Sequence, residues 1–169
     1  PIRYAGGTSL SEFWLWLEML PIASEIGATW WFPFMESLHV LSLAIMLGAI
    51  LMLDLRVLGW AAQRYAVSSL NRELVPWSAA AFLVANITGL AMFITRASYH
   101  VENPAFQIKM ILLLLAGLNI AYFHYRVLRT VGAWDTQSRA PRTARMVAAC
   151  SLILWIGVTL AGRWIGHIV

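Results

Sequence analysis

Lysine is almost missing from this chain. Of 12 basic side chains in 169 residues, Lys109 alone is a lysine and the rest are arginines. Cysteine is as scarce: Cys150 stands alone, which excludes an intramolecular disulfide and a zinc-type cysteine cluster. Charge as a whole is low, at 12%, about half of the roughly 25% usual in a soluble domain. There is no glycine-rich phosphate loop and no Ser-His-Asp spacing, so no catalytic residue is assigned. The net charge of +4 comes from arginines in loops and points to no nucleic-acid partner.

What is abundant is apolar surface: 60% of the residues are hydrophobic and the mean hydropathy is +0.71. Four stretches approach or exceed the roughly 20 residues that cross a hydrocarbon core. They are 31–55, 76–99, 105–128 and 142–165. Pro33 falls in the first turn of its stretch, Pro76 opens the second, and Pro104 and Pro141 precede the other two. A missing N–H costs little at a helix start. The expected fold class is all-α, an integral membrane four-helix bundle, with residues 30–169 as one domain. Cys150, within the fourth span, reads as a small packing residue.

Residues 1–29 form an arm ahead of the first span. Glu12, Glu18 and Glu25 interrupt it and no basic start precedes an unbroken apolar core, so a cleavable signal sequence is not expected. Ser9-Leu10-Ser11-Glu12 fits a capping box. Leu10, Phe13, Trp14, Leu17 and Leu20 then fall on one helical face. Such a helix is expected to lie along the outer interface of the membrane as an anchor, with covering the mouth of a site between the spans as the alternative role.

Arginine fixes the expected orientation. Arg56, Arg64 and Arg72 lie between the first two spans, and Arg126, Arg129, Arg139, Arg142 and Arg145 between the last two. The other side has Arg3, Arg96 and Arg163, with Lys109. The arginine-rich loops are therefore expected in the cytoplasm, with both termini periplasmic in a bacterial inner membrane.

The ionisable residues inside the spans gather in the outer half. Lys109 opens the run Phe106-Gln107-Ile108-Lys109-Met110, and a cation in such a run points to function. Glu36 and His39 are three apart on one helix, with His39 roughly 9–12 Å inside its span, too deep to snorkel. Asn86, Gly89, Phe93, Arg96 and His100 follow helical spacing, as do Thr159, Arg163 and His167. Arg96 and Arg163 also suit snorkelling to headgroups, and His100 and His167 suit the interface. In the inner half, Asp54 can pair with Arg56 or Arg126, and His124 lies beside Arg126.

A b-type haem needs axial ligands, small residues at the porphyrin face and cations for its propionates. His39 is one candidate ligand, with His100, His167 or Lys109 opposite. Arg96 and Arg163 suit the propionates, and Glu36 is a candidate to orient His39. Gly48, Gly89, Gly117, Gly157 and Gly162 supply room. Copper is the competing occupant, since Met35, Met92 and Met110 lie in the same half as the histidines His39, His100 and His167.

The string from Glu36-Ser37-Leu38-His39 through Gly48 to Asp54-Leu55-Arg56 resembles small four-span bacterial inner-membrane proteins of the domain-of-unknown-function kind, over most of the chain. It is more loosely similar to two better-known groups. One is the copper-resistance D family, with Leu-His and Gly on a first helix and a lysine opening a later one. The other is the haem-binding four-span protoporphyrinogen oxidase family, whose pattern matches here at His39, Gly48, Arg56, Lys109 and His124. That second resemblance implies haem binding at His39 and Lys109. The chain has Asp54-Leu55-Arg56 where the oxidase group carries a proline before its arginine, and it lacks the tryptophan-glycine pair of the copper group.

The function expected from the sequence is electron transfer through haem b, between a periplasmic redox partner and the quinone pool or another membrane subunit. The alternatives are copper handling with a periplasmic metal carrier, and a structural subunit of a larger membrane complex held by interhelical contacts.

Overall fold

The computed structural model describes residues 9–167. Arg3 lies outside them, as does the side chain of Ser9 and so the capping box built on it. Helices α1 (Ser9–Glu18) and α2 (Pro21–Ala28) precede four long rods. These begin with α3 (Trp31–Leu58), α4 (Val67–Phe93) and a short α5 (Ala97–Glu102), then α6 (Pro104–Tyr122) and α7 (Arg142–Trp164). A 3-10 turn over Ile94–Arg96 joins α4 to α5, and a π turn, Phe123–Val127, carries α6 onward to Ala133. The four rods are long and apolar enough to cross a membrane. The protein is a multi-pass membrane protein with an all-α bundle.

The helix ends show why the rods stop where they do. Gly59 ends α3 in the left-handed region at φ 81°, and its N–H returns to the Arg56 carbonyl. Asn103 caps α6, accepting from the Ala105 and Phe106 N–H groups just before Pro104. The second rod differs from expectation, because Pro76 lies inside α4 and the helix starts at Val67. Asp135, from the loop before α7, supplies the missing cap. Its carboxylate accepts from the Ser68 N–H at 2.8 Å and the Ser68 hydroxyl at 2.6 Å.

Side by side the rods run α4, α3, α7, α6. The packed core occupies the arginine-rich end and the middle. Val57, Val67, Phe123, Trp134, Ala144 and Val147 form one cluster, and Met46, Ala81, Ala116, Trp155 and Val158 the next. Among the described residues α4 and α6 make no extended contact. They meet through side chains at the Lys109 end, where the rings of Phe93 and Phe106 stack at 5.5 Å. That end is also closed by α1 and α2, which pack on α5 and on α3 and α4.

Several inner-half expectations change. Asp54 pairs with neither Arg56 nor Arg126 among the described residues; its carboxyl group lies against the Ser151 hydroxyl. Residues two apart on a helix point to different sides, which separates Asp54 from Arg56. Arg56 instead is fully buried and donates to the carbonyls of Tyr65 (2.7 Å), Asp135 (3.1 Å) and Gln137 (3.3 Å). Cys150 is exposed on α7 rather than packed.

Candidate functional site

His39 is held in place at the Lys109 end by two contacts with α4. Its Nδ1 lies 2.9 Å from the Ala85 carbonyl oxygen and 3.0 Å from Thr88 Oγ1, both on α4. A carbonyl only accepts, so Nδ1 carries a proton, and in the neutral tautomer that this selects the lone pair lies on Nε2. Thr88 in turn donates to the Val84 carbonyl at 2.8 Å, which fixes the hydroxyl. The absence of a side chain at Gly89 lets the ring approach, because a Cβ there would stand 3.2 Å from His39 Cε1. An imidazole oriented through Nδ1, with Nε2 available, is the donor arrangement that axial histidines and metal-bound histidines use.

Lys109 and His100 share this end. Lys109 lies within electrostatic reach of His39 and of His100. The Lys109 stem runs along α7 at Gly162, whose Cβ would lie 3.8 Å from Cδ and Cε. No carboxylate pairs with the ammonium among the described residues. His100 sits among aromatic rings: Phe93 stacks on it at 5.9 Å, Phe106 tilts against it at 5.8 Å and Tyr99 meets it edge-on at 5.6 Å. Its Nδ1 is buried with no hydrogen-bond partner, an orphan that suits a ligand or an ordered water.

The helix α1 covers this cluster from above. Glu18 accepts from the Ser98 N–H at 2.7 Å and the Ser98 hydroxyl at 2.5 Å, and the ring of Trp14 meets Phe93 edge-on at 5.9 Å. Leu10 and Phe13 face outward, while Trp14, Leu17 and Leu20 are half-buried. The contact of Glu18 with α5 carries no sequence signal, since its partner lies eighty residues away.

The remaining expected residues stand elsewhere. Glu36 is exposed, and the bond it was expected to make with His39 is made by Ala85 and Thr88. Asn86 is exposed and donates to the Phe82 carbonyl, so it leaves the seam that Gly89, Phe93 and His100 form. Arg96 is exposed at the break between α4 and α5, yet its charge reaches His100. Arg163 and His167 are exposed, and the His167 Nδ1–H donates to the Arg163 carbonyl at 3.3 Å. The reason is helical phase. The buried positions of α7 are Ala144, Val147, Ala148, Ser151, Trp155 and Val158, and Thr159 and Arg163 lie off that stripe. Of the glycines, Gly48 and Gly117 have nothing near them and open outward, whereas Gly89, Gly157 and Gly162 face neighbouring helices.

With this geometry in place the comparisons become informative. A model of a family of unknown function matches residues 13–168. The chain belongs to the DUF6644 family. No curated protein and no solved structure matches it. The match supports the likeness to small four-span proteins of unknown function and lends none to the copper-resistance D or protoporphyrinogen oxidase families. It takes in His39, His100, Lys109 and α1 from Phe13 onward, so the covered cluster of this DUF6644 chain lies wholly inside the family region.

Proposed function

We propose that this protein binds a b-type haem at the Lys109 end of its bundle and passes electrons through it. The partners are a periplasmic redox protein on that side and the quinone pool or another membrane subunit. The arginine-rich loops face the cytoplasm of a bacterial cell, by the bias of arginine toward that side. The observation that carries the reading is the imidazole of His39, oriented through its Nδ1–H and with Nε2 free, inside an apolar bundle.

Other features support it. The side between α4 and α6 is bridged by rings rather than by backbone contact, which suits a flat group entering between them. His100, with its unpartnered Nδ1, and Lys109 would be the candidates to hold the group together with His39. Arg96, exposed at the break between α4 and α5, would pair with its carboxylates. Bound there, the haem supplies one-electron exchange, and the residues of the chain hold, orient and shield it. A porphyrin brings four nitrogen ligands of its own, so one or two side chains suffice. Bare copper draws every ligand from the protein, and since no three of His, Cys, Asp and Glu gather among the described residues, it would need methionines such as Met35, Met92 or Met110 as well.

Absorbance of the purified protein, paired with metal analysis, tests this. A Soret band that is lost in His39→Ala, with iron near one equivalent, is the expected result. Copper without haem absorbance would favour metal handling, and neither would leave a structural subunit as the better account.

A further inference from the structure

The opposite end of the bundle holds a cavity that haem binding does not use. It has a volume of about 380 Å³ and lies between the loop after α3 and the loop before α7. Trp60 and Gln63 line it from the first loop, Ser138 and Arg139 from the second, and Arg145 from α7. Gly59 lets the two loops close on each other, since a Cβ there would stand 2.9 Å from the Ser138 carbonyl oxygen.

Its electrostatics are one-sided. No carboxylate lines the cavity, while two arginines do. Arg145 has its Nε buried without a hydrogen-bond partner, although a buried guanidinium N–H normally finds an acceptor. Arg142 and Arg145 also stand in the opening turns of α7, which has no acidic residue in its first turn and no side-chain cap. The positive end of a helix dipole disfavours cations there. An anion in the cavity offsets this crowding of positive charge by pairing with the guanidinium groups that line it.

We infer that this cavity binds a phosphate group, held by Arg139 and Arg145. Guanidinium forks match phosphate oxygens in pairs, which favours phosphate over a simple halide. The cavity opens where α3 ends at Leu58 and α7 begins at Arg142, beside the exposed ring of Trp60. That is the level of lipid headgroups, and basic pockets between spans take anionic headgroups. The phosphodiester of an anionic lipid and free inorganic phosphate present the same oxygens.

The test uses the full chain in neutral detergent and in bilayer discs of phosphatidylcholine. One arm adds phosphatidylglycerol to the discs, and the other adds inorganic phosphate to the detergent sample against sodium chloride of equal ionic strength. The thermal unfolding midpoint should rise in at least one arm, and the responding arm names the source. Arg139→Gln, at an exposed position, should raise the ligand concentration needed for the same rise about tenfold, as loss of a paired guanidinium contact does. Arg145→Gln should do the same, and Arg129→Gln, an exposed arginine outside the cavity, should leave it intact. No rise in either arm overturns the inference. So does a rise that Arg139→Gln leaves unchanged, or one that Arg129→Gln weakens equally, because diffuse surface charge then explains it.

Discussion

Gly89 lies against the imidazole of His39 so closely that a Cβ would stand 3.2 Å from Cε1 and 3.6 Å from Nδ1. Gly162 faces Lys109 with more room, at 3.8 Å from Cδ. Within a helix, alanine is favoured over glycine by about 0.5–1 kcal/mol, so the two sites separate propensity from packing. Gly162→Ala is expected to raise the unfolding midpoint in detergent slightly. Gly89→Ala, with the same helical gain, is expected to give no rise, because the ring must shift by a few tenths of an ångström. Gly89→Val should cost about 1–3 kcal/mol by overpacking. Equal stabilisation by both alanines would mean that the His39 ring has slack.

Arg56 ties the two arginine-end loops to the end of α3 through three carbonyls while remaining fully buried. Each hydrogen bond to a charged group contributes about 1.5–3 kcal/mol, and removal takes the donor from all three carbonyls. Arg56→Ala is expected to lower stability by at least ~3 kcal/mol. Arg56→Lys should recover only part, since an ammonium cannot span the same three oxygens. Unfolding by heat or denaturant in micelles measures both.

Much of this was legible in the sequence, and what was not has a common cause. The spans are written locally, as apolar runs, and Asn103-Pro104 marks the start of α6 as local chemistry demands. His39 stood out because depth alone made it costly. The start of α4 was hidden because its cap, Asp135, is far away along the chain. Arg163 and His167 follow the same spacing as a buried seam, but α7 is apolar on several sides and its inward phase is set by packing against α3 and α6. Glu36 shares a helix with His39, yet the partner of His39 proved to be a backbone carbonyl, which no side-chain pattern announces. The cavity at the arginine end, too, arises from two loops that only the fold brings together.

Asp135 lies outside the spans, and its two bonds to Ser68 hold its carboxyl group below the ordinary aspartate value. A depressed folded pKa means the unfolded chain takes up the proton first as pH falls. The stabilising contribution is therefore complete above the unfolded value of about 4 and lost as pH falls through the folded value. The unfolding midpoint should drop as pH falls below about 4, and Asp135→Asn should flatten that limb. Asp135→Ala should cost about 0.5–2 kcal/mol near neutral pH as a lost helix cap. An acid limb unchanged in Asp135→Asn would assign the loss of stability to other carboxylates.

Glu18 does at the Lys109 end what Asp135 does at the other, receiving a serine N–H and hydroxyl at the start of a helix. Here the consequence is access rather than global stability. With Glu18→Ala, Ser98 loses its acceptor and α1 loses one of its polar ties to α5, while the edge-on contact of Trp14 with Phe93 remains. Because Phe93 also stacks on His100, loosening α1 should open a path to that imidazole. Labelling with an imidazole-reactive reagent, read by mass spectrometry, tests this directly. His100 should react several times faster in Glu18→Ala than in the parent protein, and faster again when Trp14→Ala is added. His167 is already exposed and serves as the internal reference, with an unchanged rate. If His100 keeps its parent rate in both variants, α1 is an interfacial anchor and the cluster is shielded by Phe93, Phe106 and Tyr99 alone.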